Sequence, residues 1–464
     1  MNKENKLVPG LPSGFEDRWG KKILLKKKIL KVIEKNFIKF GAEALETPSF
    51  EISENIGSFL AEDEANLMSN VFSFKDGDKN VTLRYDLSSP LARFYAQNNQ
   101  QLPSIFKRYQ IQNVFRNEKA GNGRYREFLQ ADFDIVGNVN PAQANAELCN
   151  LISRTLSDCG LKKDQFTINV SNRKIVQGLI DDLKISEEKK TKVIRAIDKL
   201  DKPGFGLKGV EDLLKKERKD QSGAVTKGAD LSDEQSGEIL NFLKIKDLRK
   251  LKQNLKNPLS QEGIKELEDV FEVLGYGINS KQVRSNFTIV RGLAYYSDFI
   301  VETNLNFKVR NNNGKEVDIG SICSGGAYSK LISRFRGVDV PGTGISFGVD
   351  RLLFALIQLN QIKVEDQKPV LVCVMEKKYL KNYYEIVDLL RENNINAEVF
   401  LSTKKNLGKQ LDLANKRELS IAIICGENEF KDNTVTIKNL KGVKGKNSQT
   451  IPKLNLINEI KKLI

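Results

Sequence analysis

The chain has 464 residues, 40% hydrophobic and 29% charged, with 75 Lys and Arg against 60 Asp and Glu, a formal net charge of +15 and a pI near 9.3. That length suffices for two or three domains with a sizeable core, and no apolar run approaches the ~20 residues needed to span a bilayer as a helix. Histidine is absent, which excludes Ser-His-Asp and Cys-His catalysis and histidine-ligated metals, and leaves carboxylates, arginine, lysine, tyrosine, backbone dipoles or a bound metal.

In chain order, the start MNKENKLVPG is polar and lacks a signal-peptide apolar core, which predicts a cytoplasmic protein with no membrane partner. Residues 16–40 place Trp19, Ile23, Leu30, Ile33, Phe37 and Phe40 at helical spacing, an amphipathic helix with a basic outer face that Gly41 stops. An extended segment runs on through Pro48. Residues 80–137 alternate between strand-like and short helical runs. Residues 140–160 read as a helix ended by Gly160, and 165–171 as a strand.

From 173 to 285 the composition turns to Lys, Asp, Glu and Leu with helical periodicity, a helical insertion between two halves of a sheet domain; KKERKDQSGAVTKGAD within it reads as a mobile loop. Strand signals return at 286–302 and 317–325, and a glycine-rich turn opens a helix at 341–359. VEDQKP reads as a linker, and the remainder alternates β-α-β-α-β as a small α/β domain. Cys149, Cys159, Cys323, Cys373 and Cys425 show no CxxC spacing and read as buried thiols of a reducing compartment. The positive charge points to a polyanion, most simply nucleic acid, against the plainer reading of a solvated lysine surface.

The chemistry concentrates in RNEKAGNGRYREFLQADFDIVG, 116–137. Strand side chains alternate between faces. The odd positions Leu129, Ala131, Phe133 and Ile135 are apolar and suit a core. The even positions Arg124, Arg126, Phe128, Gln130, Asp132 and Asp134 run from cations through a ring and an amide to two acids. Such a face suits phosphates at one end, a flat base on Phe128, and a cationic or donor-bearing group at the other. Cross-strand ion pairs on an exposed sheet are the plainer alternative, but they need neither Phe128 nor Gln130. Arg116 and Glu118 add to the same face from the strand before the loop. Arg291 stands inside an apolar strand pattern, a position that favours an anion nearby. In VPGTGISFGVDRLLFAL, glycines precede a helix carrying Arg351, which reads as an anion site at a helix N-terminus. The spacing fits neither a dinucleotide fingerprint nor a P-loop.

These segments resemble the class II aminoacyl-tRNA synthetases, and the histidyl-tRNA synthetase family in particular. VFRNEKAGNGRYREFLQADFDIVG resembles motif 2, VPGTGISFGVDRL motif 3, and the first helix with ETPSFE motif 1. LRYDLSSPLARF resembles the amino-acid-binding segment, and IVRGLAYY and SGGAYSKLI the two signatures of the histidine enzymes, with an alphaproteobacterial cast. The resemblance covers nearly the whole chain. It implies an α+β fold: an antiparallel sheet of six or more strands with flanking helices and a helical insertion, plus a C-terminal α/β anticodon-binding domain. The corresponding spans are 1–172 and 286–363 for the catalytic core, 173–285 for the insertion and 370–464 for the anticodon domain.

The resemblance further implies histidine activation by ATP, with Mg2+ accompanying the nucleotide, transfer to tRNA(His), and a homodimer. By matching position, Arg116 would hold the α-phosphate and Arg291 would stabilise its charge in the transition state. Glu118, Arg124, Arg126, Phe128 and Arg351 would complete the ATP site. Asp86, Ser88, Gln130, Asp134, Tyr295, Tyr296 and Tyr328 would form the histidine pocket. The family usually carries an acid where Ala294 stands, and arginine and aspartate where Ala327 and Ser329 stand. A catalytically silent relative, the regulatory subunit of ATP phosphoribosyltransferase, is the alternative; it would be expected to lack the phosphate-binding arginines and the C-terminal domain.

Overall fold

The computed structural model describes residues 7–56, 71–118, 125–201, 205–219, 225–275, 282–290, 296–310, 314–362, 368–401, 406–442 and 447–464. Two compact units divide the chain, Met1–Lys363 and Val364–Ile464. Among the described residues no helix is long and apolar enough to cross a membrane.

The first unit is built on an eight-stranded sheet. Its strands are β1 (Glu43–Ala44), β2 (Ile105–Phe115), β3 (Glu127–Gly137), β4 (Phe166–Asn172), β5 (Val283–Ser285), β6 (Phe299–Leu305), β7 (Cys323–Ala327) and β8 (Gly342–Gly348), in the order β1-β2-β3-β8-β7-β6-β4-β5. The six inner strands pair antiparallel, but the two edges, β1 on β2 and β5 on β4, pair parallel. The sheet is therefore mixed rather than wholly antiparallel. Each edge strand is separated from its neighbour by a long crossover, and a crossover is what parallel pairing requires.

Helix α1 (Gly20–Lys39) buries Leu25, Ile29, Ile33 and Phe37, one residue per turn. Phe37 meets Phe133 and Phe347 with ring centroids 5.6 and 6.0 Å apart. The helix thus seals the odd face of β3 and leaves the even face to the site. Trp19 does not belong to the buried stripe. It precedes the helix in extended backbone and is 85% exposed, because Gly20, at φ 62°, redirects the chain before the first turn.

Two further expectations are corrected. The strand expected from 286 begins only at Phe299 among the described residues. The Asn286 side chain accepts from the backbone N–H and hydroxyl of Thr288, and its carbonyl from Ile289 N–H. A local turn therefore takes bonds that a ladder would need. The glycine-rich run at 342–348 is strand β8, and its helix, α2 (Val349–Gln358), starts only after it.

In the 173–285 span, the first and last helices, Arg173–Asp182 and Pro258–Gly275, pack on each other, and the latter also lies on helix Pro141–Asp158. Gly178 permits the first contact, since a Cβ there would lie 2.3 Å from the Ser260 hydroxyl. Arg218–Lys219 and Val225–Thr226 form a two-stranded pair inside the span read as a loop.

The second unit has a five-stranded sheet: β9 (Val370–Val372), β10 (Ala397–Val399), β11 (Ile421–Ile424), β12 (Thr434–Asn439) and β13 (Ser448–Pro452), in the order β10-β9-β11-β12-β13. Its three parallel strands follow the expected β-α-β-α-β, and an antiparallel hairpin extends them. Gly426 caps the short helix Glu427–Lys431 between them, and Glu427 pairs with Lys378 and Lys431. All five cysteines are free and buried.

Candidate active site

The register of β2, β3 and β8 sets the site. Arg108, Gln110 and Gln112 on β2 stand opposite Asp134, Asp132 and Gln130 on β3. On the other side, Gly344, Ser346 and Gly348 of β8 stand opposite the same three residues. Cross-strand neighbours point to the same face, so one row of polar groups crosses three strands.

At the acidic end everything is buried. Arg108 is 0% exposed, and Asp132 and Asp134 are 3% and 2% exposed. Arg108 Nη2 lies 2.8 Å from Asp134 Oδ2, an ion pair rather than an aligned hydrogen bond, and donates to Leu87 O at 3.1 Å. Its Nη1 donates to Gln110 Oε1 at 3.1 Å. The Tyr328 hydroxyl donates to Asp134 Oδ1. Asp86 receives the backbone N–H and hydroxyl of Ser89, in the first turn of the helix Ser88–Asn98. Burial pushes Asp134 above the usual carboxylate range and Asp132 up to about 7; Arg108 opposes the shift and the neighbouring acids add to it. One guanidinium thus faces three carboxylates, Asp86, Asp132 and Asp134, a box suited to a ligand bearing positive charge or several N–H donors.

At the other end the charges are half-buried and rest on rings. The Arg116 guanidinium carbon lies 4.4 Å from the Tyr85 ring centre and 5.1 Å from that of Phe128, and its Nε donates to Tyr85 O at 3.3 Å. Tyr85 donates its hydroxyl to Glu118 at 2.8 Å; burial pushes that phenol up to about 12. Arg126 Nε donates to Glu118 O at 3.0 Å, and its guanidinium faces the Phe72 ring. Backbone bonds from Arg116 N to Arg126 O and from Arg126 N to Gly14 O fasten both arms of the hairpin.

The glycines of β8 have a role other than the expected anion loop. A Cβ on Gly344 would lie 2.0 Å from Asp134 Oδ1, and one on Gly342 would lie 2.7 Å from the Tyr328 ring. They make room for the acid and the tyrosine. Arg351, in the first turn of α2, donates from Nη1 to Ser321 O at 2.8 Å.

Of the candidate residues, Arg116, Glu118, Arg126 and Phe128 gather at the hairpin, and Gln130, Asp134 and Tyr328 gather deeper on the face. The Asp86–Ser88 segment reaches them through Leu87 O. Tyr296 packs beside Tyr328, on the edge of a small apolar cluster. Arg351 follows the strand end paired with Gln130. Arg124, Arg291 and Tyr295, with Ala294, lie outside the described residues. Asp132 lies on the expected ligand face, where the sequence assigned it no individual role, and Arg108, Gln110, Gln112 and Ser346 join the site unanticipated. The alternation Arg108-x-Gln110-x-Gln112 in a strand was the available signal for the three on β2.

Residues 14–352 match the histidyl-tRNA synthetase family, and residues 369–463 match the anticodon binding domain family. A histidine–tRNA ligase of Pelagibacter ubique (strain HTCC1062) is 75% identical over 465 residues, covering 100% of both chains. One from Ruegeria pomeroyi is 38% identical, covering 92% of this chain and 89% of that protein. The crystal structure of histidyl-tRNA synthetase from Nostoc sp. PCC 7120 matches with a TM-score of 0.74 and 27% identity, covering 99% of this chain and 100% of that one.

Proposed function

The chain belongs to the histidyl-tRNA synthetase family, and from that membership we propose how its own residues join histidine to tRNA. The reaction takes histidine and ATP to histidyl-adenylate and pyrophosphate, then moves the acyl group to the 3′-terminal ribose of tRNA(His). In the first step a carboxylate oxygen of histidine attacks the α-phosphorus and pyrophosphate leaves. The carboxylate is already ionised, so the step needs charge stabilisation and alignment rather than a proton acceptor.

Arg116 holds the α-phosphate. The rings of Tyr85 and Phe128 and the Tyr85 carbonyl fix its guanidinium in advance, so little reorganisation remains for the reaction. Arg291, assigned on the sequence alone, stabilises the charge that grows at the α-phosphate. Phe128 stacks on the adenine. Glu118, with Arg124 and Arg126, places the nucleotide, and Arg351 meets the γ-phosphate. Mg2+ enters on the phosphate oxygens as part of the nucleotide substrate. Asp86, Ser88, Gln130, Asp134, Tyr295, Tyr296 and Tyr328 enclose histidine. The observation that carries this reading is the buried box of three acids around one arginine, on the strand face that begins with arginines and a ring. Histidyl-adenylate has that polarity, with ammonium and imidazole at one end and phosphate and adenine at the other.

The 370–464 domain takes the anticodon stem-loop, and the protein works in the cytoplasm as a homodimer joined through motif 1. Phe50 and Phe74, 53% and 47% exposed with rings 5.4 Å apart, support that contact next to motif 1. ATP–pyrophosphate exchange with each of the twenty amino acids tests the reading. Exchange with histidine alone is expected; none from the folded protein would overturn it in favour of the silent regulatory relative.

A further inference from the structure

The pocket wall at Tyr296 rests on residues with no task in the reaction so far. Strands β6 and β4 pair antiparallel as far as Phe299 opposite Asn172. Beyond that pair, one chain forms a turn of Tyr296, Ser297 and Asp298, and the other begins the helix Arg173–Asp182, the first of the 173–285 span. Arg173 and Lys174 take its first two positions, where the helix dipole disfavours a cation.

Both reach the turn. The Arg173 backbone N–H donates to Asp298 O at 2.9 Å, and its Nη1 donates to Tyr296 O at 2.6 Å. Lys174 Nζ lies 3.2 Å from Asp298 Oδ1 and donates to Glu262 at 2.8 Å and to Glu266. Those two glutamates belong to Pro258–Gly275, the last helix of the span. Asn172 closes the group. Its side chain accepts from Lys174 N–H at 3.0 Å and donates to Glu266 at 2.6 Å. Burial works against the Lys174 charge, but the bonds to the two glutamates outweigh it and hold the ammonium above its usual range.

The other side of the turn lies on the segment SGGAYSKLI, which carries the altered positions Ala327 and Ser329. Ser297 N–H donates to Ala327 O at 3.0 Å, and Ser297 Oγ lies 3.5 Å from Ser329 Oγ. A Cβ on Gly326 would come 3.1 Å from the Tyr296 ring and 2.4 Å from Phe299 O, so this glycine lets the turn lie flat on β7. Held from both sides, Tyr296 packs on the cluster that contains Tyr328, whose hydroxyl donates to Asp134.

We propose that Arg173 is a positioning residue for the histidine pocket: it holds Tyr296 by the backbone while Lys174 holds Asp298, so that the two helices framing the 173–285 span form a strut behind the pocket wall. The proposal rests on the histidine reading of this site. Arg173 touches no substrate. Cations at the start of a helix are explained by what they hold, since the helix gains nothing from them. A wall fixed in advance spares the ligand the entropy of ordering it. The coupling is reciprocal, so a ligand that steadies Tyr296 also steadies the start of the helix Arg173–Asp182.

Pyrophosphate exchange by the full-length protein tests the first half. Arg173→Ala is expected to raise KM for histidine about tenfold with KM for ATP within about twofold. Arg173→Lys, which keeps a donor within reach of the carbonyl, is expected to recover most of the loss. A merely structural loss would lower the active fraction and leave both KM values alone. A histidine KM within about twofold of wild type, or a matching rise in KM for ATP, overturns the proposal. Amide hydrogen exchange of the wild type tests the second half, and decides the matter even if the variants fail to fold. Saturating histidine is expected to slow exchange at least about threefold at the start of the helix Arg173–Asp182 as well as at 296–305. No slowing in the helix overturns the proposal. Wild type that exchanges pyrophosphate with no amino acid removes the histidine reading itself, a separate failure.

Discussion

The two ends of one strand face solve the problem of placing charge in opposite ways. At the hairpin end, Arg116 and Arg126 lie half-buried on aromatic faces, a low-cost way to keep a cation ready for an anion. At the inner end Asp132 and Asp134 are wholly buried, where a ring offers nothing to a carboxylate and each acid needs a dedicated partner. Arg108 supplies one for Asp134 only. The first end is a standing electrostatic clamp, while the second is stable only in part until something with N–H donors arrives.

The largest test of that contrast removes the compensated acid. Asp134→Ala removes the carboxylate nearest the buried Arg108 and the acceptor of the Tyr328 hydroxyl, and is expected to lower stability by about 3–5 kcal/mol in urea denaturation. Arg116→Ala, at the other end, is expected to cut the exchange rate by about 10²- to 10³-fold while costing about 1 kcal/mol or less in stability. Comparable stability losses for the two would erase the distinction.

Asp132→Asn sharpens it with an effect of opposite sign. A carboxyl held at about 7 instead of 3.8 opposes folding by up to about 4 kcal/mol once ionised. The folded protein holds that proton more tightly than the unfolded chain, so stability declines as pH rises from about 4 through about 7. The substitution is expected to stabilise the ligand-free protein by about 1–2 kcal/mol at pH 8, after the buried amide's own cost of about 2–3 kcal/mol, and to destabilise it by that cost alone below about pH 4. Equal denaturation midpoints at both pH values would count against it. The smallest effect belongs to Phe128→Ala, which is expected to raise KM for ATP about fivefold, the equivalent of about 1 kcal/mol of stacking, with KM for histidine little changed.

The strand 127–137 was readable because its two faces differ in composition, and period-two alternation separates Phe133 and Ile135 from Asp132 and Asp134 without any tertiary information. What could not be read was register. Only the pairing of Arg108 with Asp134 shows that one acid is neutralised and its neighbour is not, and nothing local to either strand encodes that pairing. The run GTGISFG failed for a related reason. Glycines signal turns locally, yet here they clear space for Asp134 and Tyr328, residues distant in the chain, so strand β8 took the place of a helix entry. Trp19 illustrates the reverse case, since helical spacing extends back across Gly20, the residue at which the helix begins.

The five buried thiols have an experimental use. Cys149, Cys159 and Cys323 belong to the first compact unit, Cys373 and Cys425 to the second. Burial pushes four of them up to about 12 and Cys323 well above its ordinary value, so the folded protein offers almost no thiolate. Alkylation must then wait for local opening. The chain carries its own set of clocks, two in the second unit, each just past the end of a strand, and three in the first, and peptide-resolved labelling would time the breathing of each separately, with Cys323 reporting on the sheet that carries Asp132.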